Sequence, residues 1–380
     1  MINYRGIVGK AFMRICSLIP INHEKIVFSS FCGKYYNDSP RCIFEAMREL
    51  YPNLDYVWLM EDDKYKIEGA RVVKFASFKS LSELATAGVW VDDCRKREWM
   101  VKRKGQFYVQ TWHAGLTLKK VEKDAQESLA PKYLAGAIND SQMADLFLSG
   151  CKWSTEKYSK SFWYNGEILE MGLPREDIFY RDPTHVLLKV KKYYNLKEND
   201  RIILYAPTFR VDGSTDAYLF DYKKLLECME SKFPGNWKVI VRLHPNIADK
   251  QNCVQYTENV LNGSQYQNIE ELIVASDVLF TDYSSCAFDA MEAGKKVFMY
   301  ATDIEKYAND RGTYFDLLEL PFPLAQNEKE LESVITNFND EKYKNDVSAF
   351  MQMQGIFNNS HSSYEVGKYI YKKAIESYLH

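Results

Sequence analysis

The sequence predicts an α/β protein of two lobes, each built on a mostly parallel sheet. Three observations carry this. Short apolar runs of strand length alternate with helix-length amphipathic segments. The alternation occurs twice, on either side of a polar stretch at 180–200. The length, 380 residues, suits about two domains. With 46% hydrophobic and 27% charged residues, the chain can fill a core, which excludes disorder, collagen and coiled coil as overall descriptions.

The first set opens on residues 1–22. Ile7, Val8, Ala11, Phe12, Ile15, Leu18 and Ile19 share one helical stripe, Arg5, Lys10 and Arg14 stand beside it, and Pro20 ends it. The segment is too short to span a membrane and has no small-residue cleavage site. It suits a helix lying in a membrane interface and equally a helix packed on the first domain. The first lobe is then expected at 23–185. Lys25–Phe31 reads as a buried strand. Ser39 and Pro40 open a helix to Leu50. Tyr56–Met60, Val72–Phe75, Val89–Val91, Phe107–Thr111, Leu146–Ser149 and Ile168–Met171 are further strands. Ser80–Ala87 is a helix whose Ser80 and Glu83 have capping-box spacing.

The second lobe is expected at 195–360. Arg201–Ala206, Trp237–Leu243, Val278–Thr281 and Val297–Tyr300 are its strands. Tyr222–Phe233, Ile269–Ala275, Ser285–Ala293, Glu328–Phe338 and Lys342–Met353 are its helices, with a final helix in 361–380. Parallel sheets bind ligands at strand C-terminal ends, so both lobes are expected to direct their loops into an interdomain cleft.

Formal charge is −3, but residues 1–190 hold 28 basic and 24 acidic side chains against 21 and 28 in residues 191–380. The positive half invites an anionic partner. The run Arg95, Lys96, Arg97, Lys102, Arg103 and Lys104, interleaved with Trp99 and Met100, suits an anionic membrane surface or polymer as well as a plain solvated loop. No nucleic-acid module is present. The eight cysteines form no CxxC pair and read as reduced, mostly buried cytoplasmic thiols. There is no zinc spacing, Walker loop, GxSxG or DxD motif, so neither metal nor cofactor is expected.

The residues that follow the strands carry the chemistry. His113 follows Phe107–Thr111, and His244 follows Trp237–Leu243 with Arg242 two residues before it. Either histidine can act as general base or face phosphate as a cation. Ser284 or Ser285 stands at the N-terminus of a helix, a phosphate-binding position as well as an ordinary cap. Asp289 and Glu292 on that helix suit polyol hydroxyls, or are plain surface acids. Arg210, after Ala206-Pro207-Thr208-Phe209, and Arg311, before Gly312, are candidate phosphate clamps.

These blocks together resemble the CDP-glycerol glycerophosphotransferase family of teichoic acid primases and polymerases. Gln110-Thr111-Trp112-His113 with Lys119-Lys120 and Asp124 is similar to its first block. Gly172-Leu173-Pro174-Arg175 with Asp177 is similar to its G-x-P-R-x-D turn. Tyr205–Arg210, Arg242–Pro245 and Ser276–Ser285 with Asp289 are similar to later blocks, continued by Asp303, Tyr307 and Arg311-Gly312. One departure is Ala114-Gly115-Leu116 where the common pattern has Gly-Thr-Pro.

The resemblance implies a GT-B-like fold of two Rossmann-like lobes. It implies transfer of glycerol phosphate from CDP-glycerol to a hydroxyl of a lipid-linked saccharide or glycerol phosphate acceptor, with release of CMP, at the cytoplasmic face of the membrane. His113 and His244 fall on its essential histidines. The donor is expected against Thr208, Arg210, Arg242, His244, Thr281, Asp282, Ser284, Ser285, Asp289 and Arg311. Lys119 and Lys120 join the basic run as acceptor or membrane contacts. A CDP-ribitol transferase and a UDP-sugar glycosyltransferase are the alternatives.

Overall fold

Runs such as Ile26–Ser29 and Val57–Met60, buried at every position, belong to strands covered on both faces, as parallel sheets require. The computed structural model describes residues 4–210, 213–244, 247, 250, 252–304 and 312–378. Its chain divides into two units.

The first unit comprises Met1–Gly115, Val121–Asp177 and Ile356–His380. Its strands are β1 (Asn22–Ser29), β2 (Asp55–Met60), β3 (Arg71–Lys74), β4 (Ala87–Asp92), β5 (Phe107–Gln110), β6 (Leu146–Ser149) and β7 (Glu167–Glu170). They form one seven-stranded sheet in the order β3-β2-β1-β4-β5-β6-β7, parallel throughout. Helices α1 (Tyr4–Cys16), α2 (Asp38–Leu50), α3 (Phe78–Thr86), α4 (Pro131–Met143) and α5 (Lys152–Ser161) flank it. Ser77, not Ser80, caps α3, its Oγ accepting from Ser80 N at 3.1 Å. Glu83, expected in a capping box, instead pairs with Lys25 and Arg71.

The second unit comprises Leu116–Lys120 and Ile178–Gly355. Its strands are β8 (Asp200–Tyr205), β9 (Asn236–Val241), β10 (Val260–Asn262), β11 (Val278–Thr281), β12 (Lys296–Tyr300) and β13 (Leu324–Ala325). They form a six-stranded sheet in the order β10-β9-β8-β11-β12-β13, again all parallel. Helices α6 (Thr184–Tyr193), α7 (Tyr222–Lys232), α8 (Ile269–Ala275), α9 (Cys286–Glu292), α10 (Glu328–Thr336) and α11 (Asp340–Gln354) complete it.

The final helix, α12 (Ser362–Ala374), returns to the first unit and packs on α2. Val366, Ile370, Ala374 and Ile375 join the core with Ile43, Phe44 and Met47. Residues 361–380, read from sequence as a segment of their own, thus complete a core begun at the other end of the chain. In each sheet the chain reverses its direction of growth beside the first strand: at β1/β4 in one unit and β8/β11 in the other. Such switch points are where open α/β sheets bind ligands, beyond the strand C-termini.

Candidate active-site residues in each unit

In the first unit, β5 ends and the chain turns sharply at Trp112, whose φ is +54°. Gln110 holds the turn: its Oε1 accepts from Trp112 N at 2.9 Å. The turn brings His113 beside the end of β4. His113 Nδ1 lies 3.2 Å from the carbonyl oxygen of Asp93. A carbonyl only accepts, so Nδ1 carries the proton and Nε2 is the basic atom. Burial, then the charges of Arg175 and Arg95, lower the His113 pKa to about 4. The imidazole is therefore neutral at pH 7. The Trp112 indole lies against it, ring centroids 4.4 Å apart, and Arg175 Nη1 donates to the His113 carbonyl at 2.9 Å.

Beneath this turn lies a buried network centred on Asp140 of α4. Its carboxylate accepts from Tyr108 OH at 2.7 Å, Lys96 N at 2.8 Å, Arg95 Nη1 at 2.9 Å and Gln110 Nε2 at 3.1 Å. Asp140 and its neighbour Glu122 were not foreseen as site residues. The signal available in the sequence was one acid on the small-residue helix face of Gly136, Ala137 and Ser141.

The basic run does not form a uniform cationic surface. The side chains of Arg95 and Lys96 are buried. Arg95 pairs with Asp140 and Glu122, and Lys96 with Asp92. Neither is a membrane or acceptor contact, because two carboxylates inside the unit hold Arg95 and one holds Lys96. Lys102 pairs with Asp145, and Arg103 donates to the carbonyls of Ile19 and Ala85. Arg97 and Lys104 stay exposed. Asp92, Asp93 and Cys94 bring ligand atoms within 4.8 Å of one another. Lys96 neutralises Asp92, and Ser30 and the Phe31 amide donate to Asp93, so the protein itself satisfies these acids. All eight cysteines are free, but only Cys16, Cys151 and Cys286 are buried, fewer than expected.

Lys119 and Lys120 belong to the second unit, not to the basic lobe. Lys119 bridges to Thr313 in antiparallel fashion, and Lys120 N donates to Gly312 O at 3.2 Å. Lys119 is thereby close to His244: burial, then Lys119 and Arg242, lower the His244 pKa to about 4. His244 was expected as a possible cation against phosphate; in this state it is neutral, and Lys119 carries the charge. The His244 amide donates to Tyr218 OH at 3.1 Å.

At the β8/β11 switch point Asp282 is fully buried. It accepts from Thr208 N at 2.7 Å, Tyr283 N at 2.6 Å and Arg210 Nη2 at 2.8 Å. Arg210 also donates to Asp303 from Nε at 2.7 Å and Nη2 at 3.0 Å. The guanidinium read as a phosphate clamp is thus held by two carboxylates and locks the two loops together. Arg242 likewise reaches the carbonyls of Gly263 and Tyr266. Thr281 Oγ1 donates to Ala206 O at 2.7 Å.

Other hydroxyls remain for a ligand. Thr208 Oγ1 is buried with no partner, and Ser285, at the cap position of α9, makes no capping bond. Ser284 Oγ accepts from Cys286 N at 3.4 Å. Asp289 is buried on α9, as is Glu292, which accepts from Tyr180 OH at 2.9 Å. Neither is a solvated acid. Tyr307 and Arg311 lie outside the described residues.

Comparison with known proteins bears on the family and the fold. A family model described as CDP-glycerol:poly(glycerophosphate) glycerophosphotransferase matches residues 11–372. The teichoic acid poly(glycerol phosphate) polymerase of Staphylococcus epidermidis is 32% identical over 93% of this chain, which spans 51% of that protein. The protein of the same description from Bacillus spizizenii is 30% identical over 92% of this chain and 93% of its own length. The structure of the wall teichoic acid polymerase TagF superposes with a TM-score of 0.85 at 29% identity, covering 98% of this chain and 95% of that one. A variant of it has been soaked with CDPG. The fold is accordingly GT-B-like, and the chain belongs to the CDP-glycerol:poly(glycerophosphate) glycerophosphotransferase family.

Proposed function

We propose that this chain transfers glycerol phosphate from CDP-glycerol to a hydroxyl of a lipid-linked acceptor, releasing CMP. The observation that supports it most directly is His113: a neutral imidazole with its proton fixed on Nδ1 and its Nε2 basic. That state suits removal of a proton from an attacking hydroxyl. The hydroxyl oxygen attacks the β-phosphorus in line, its proton passes to Nε2, and the bond to the CMP oxygen breaks. Lys119, His244, Thr208 Oγ1 and the hydroxyls of Ser284 and Ser285 face the diphosphate. The approach of that dianion raises the His244 pKa, so a proton enters with the donor. Arg210, Asp282 and Asp303 position the loops rather than touch phosphate.

The membrane role falls to α1. Gly6, Gly9, Met13 and Cys16 face the unit and are buried, whereas Ile7, Val8, Ile15, Leu18 and Ile19 are exposed. The helix therefore packs on α3 and still presents an apolar stripe beside Arg14. Such a helix suits the interface of an anionic bilayer at its cytoplasmic face. No described helix is long and apolar enough to cross a membrane.

The test is CMP release from CDP-glycerol with a lipid-linked glycerol phosphate acceptor. CMP release dependent on that acceptor is the expected result. Release only from CDP-ribitol, or sugar transfer from a UDP-sugar, replaces the donor named here. No CMP from any CDP-polyol overturns the proposal.

A further inference from the structure

The first unit contains a cavity of about 690 Å³ that the reaction described above does not use. Protein interiors are close-packed, and voids much larger than a water molecule are few. The volume lies in the range of about 300–1,000 Å³ of small-ligand sites. The body of the cavity is hydrocarbon: Leu59, Leu81, Leu84, Trp99 and Met100 line it. Water gains little from such walls, and an apolar guest gains the dispersion contacts they leave unmade.

Two features identify the guest. The first is the rim. Val8 of α1 and Phe78 of α3 line the cavity and are 52% and 58% exposed, so its mouth continues the apolar stripe of α1. Arg97, also at the lining, is exposed and forms no ion pair among the described residues, which leaves a cation for a phosphate. The second is the wall formed by Cys32, which is exposed, and by Asp92 and Cys94, the immediate neighbours of Phe31 and Asp93. Asp93 holds His113 through its carbonyl, and the Phe31 ring lies 6.3 Å from the imidazole, centroid to centroid. The cavity thus shares a wall with the residues that hold the base.

We propose that the cavity is the seat of the hydrocarbon tail of the lipid-linked acceptor. Its phosphate stays at the Arg97 rim, and the headgroup beyond that phosphate remains outside the cavity. The proposal rests on the reading that the acceptor is lipid-linked, and the experiment separates the two. A dansyl fatty acid reports on the cavity in membrane-free solution, with farnesyl phosphate and dihexanoyl phosphatidylglycerol as competitors. Two filling variants are used: Leu81→Trp inside, and Val8→Trp at the half-exposed rim, where folding is not at stake and the stripe stays apolar. The probe should bind the wild-type protein and be displaced by farnesyl phosphate in preference to the phospholipid. Both variants should bind it about tenfold more weakly or worse, about 1.4 kcal/mol. Val8→Trp should raise KM for the lipid-linked acceptor and leave KM for the same headgroup without a tail unchanged. No probe binding, equal binding by wild type and both variants, preferential displacement by the phospholipid, or equal KM effects on the two acceptors overturns the assignment. Probe binding with this displacement, but without CMP release to any acceptor, sinks the proposed reaction and leaves the cavity's specificity for an isoprenyl phosphate standing.

Discussion

His113 shows how much one backbone carbonyl decides. Asp93 O fixes the tautomer, and burial with Arg175 and Arg95 keeps the ring neutral. His113→Asn should lower kcat by about a hundredfold to ten-thousandfold, the usual share of a general base, while calorimetry still detects CDP-glycerol binding; unaltered turnover removes the role. With the His113 pKa lowered to about 4, the acid limb of kcat/KM should fall near pH 4 rather than near the ordinary value of about 6.5. Arg175→Gln, which removes a nearby positive charge, should move that limb upward. The sign for stability follows. Between the ordinary pKa and the lowered one the unfolded chain binds protons that the native histidines do not. Stability from neutral His113 and His244 is therefore intact above about pH 6.5 and declines as pH falls toward 4. Both histidines were legible in the sequence because each follows a strand. Their supports were not: Asp140 acts across 45 residues on Arg95, and no local pattern encodes such a pair. Arg210 misled for the related reason that a loop arginine shows its charge but not its partners.

At the scale of elements, buried strands were the clearest signal. β6, β11 and α8 match their expected limits, the two strands because a run buried on both faces is apolar up to its last residue. What escaped were α4, α5 and α6, whose polar faces hide their stripes, and the edge strands β10 and β13, three and two residues long, too short for any period. Helix α1 was legible as a stripe but ambiguous in use: one face packs on α3, and the exposed face is the one we assign to the membrane. The buried face joins Gly6 and Gly9 to Met13 and Cys16; a Cβ on Gly9 would lie 2.6 Å from the Trp99 ring. The turn that follows the helix carries Leu18 at 86% exposure. Leu18→Asp should therefore leave the melting temperature within a degree or so of wild type, surface changes costing about 0.5 kcal/mol or less. It should weaken sedimentation with anionic vesicles severalfold. Equal sedimentation of the two proteins would remove α1 from the membrane face.

Across the whole molecule, the chain visits its two units alternately. Residues 116–120 leave the first for the second, and 356–380 come back to it. The return is anchored at Asp177, the acid of the G-x-P-R-x-D turn. Its carboxylate accepts from Ser362 N at 2.8 Å, Ser363 N at 3.1 Å and Ser363 Oγ at 2.5 Å, at the start of α12. Gly172, at φ +82°, belongs to the same join, because a Cβ there would lie 2.7 Å from Ser362 Oγ. Removing one partner of a buried polar cluster costs about 1–3 kcal/mol, so Asp177→Ala should lower the thermal stability of the first unit. The second unit has its own sheet and core and shares none of these contacts. The hydroxyls of Thr208, Ser284 and Ser285 and His244, which we assign to the donor, lie in the second unit alone. The two perturbations should therefore act on different transitions. In a calorimetric scan, Asp177→Ala should shift one transition downward, and CDP-glycerol at about a hundred times its Kd should raise the other, by about 2.7 kcal/mol. If both perturbations move the same transition, the units do not unfold independently, and the donor is not held by the second unit alone.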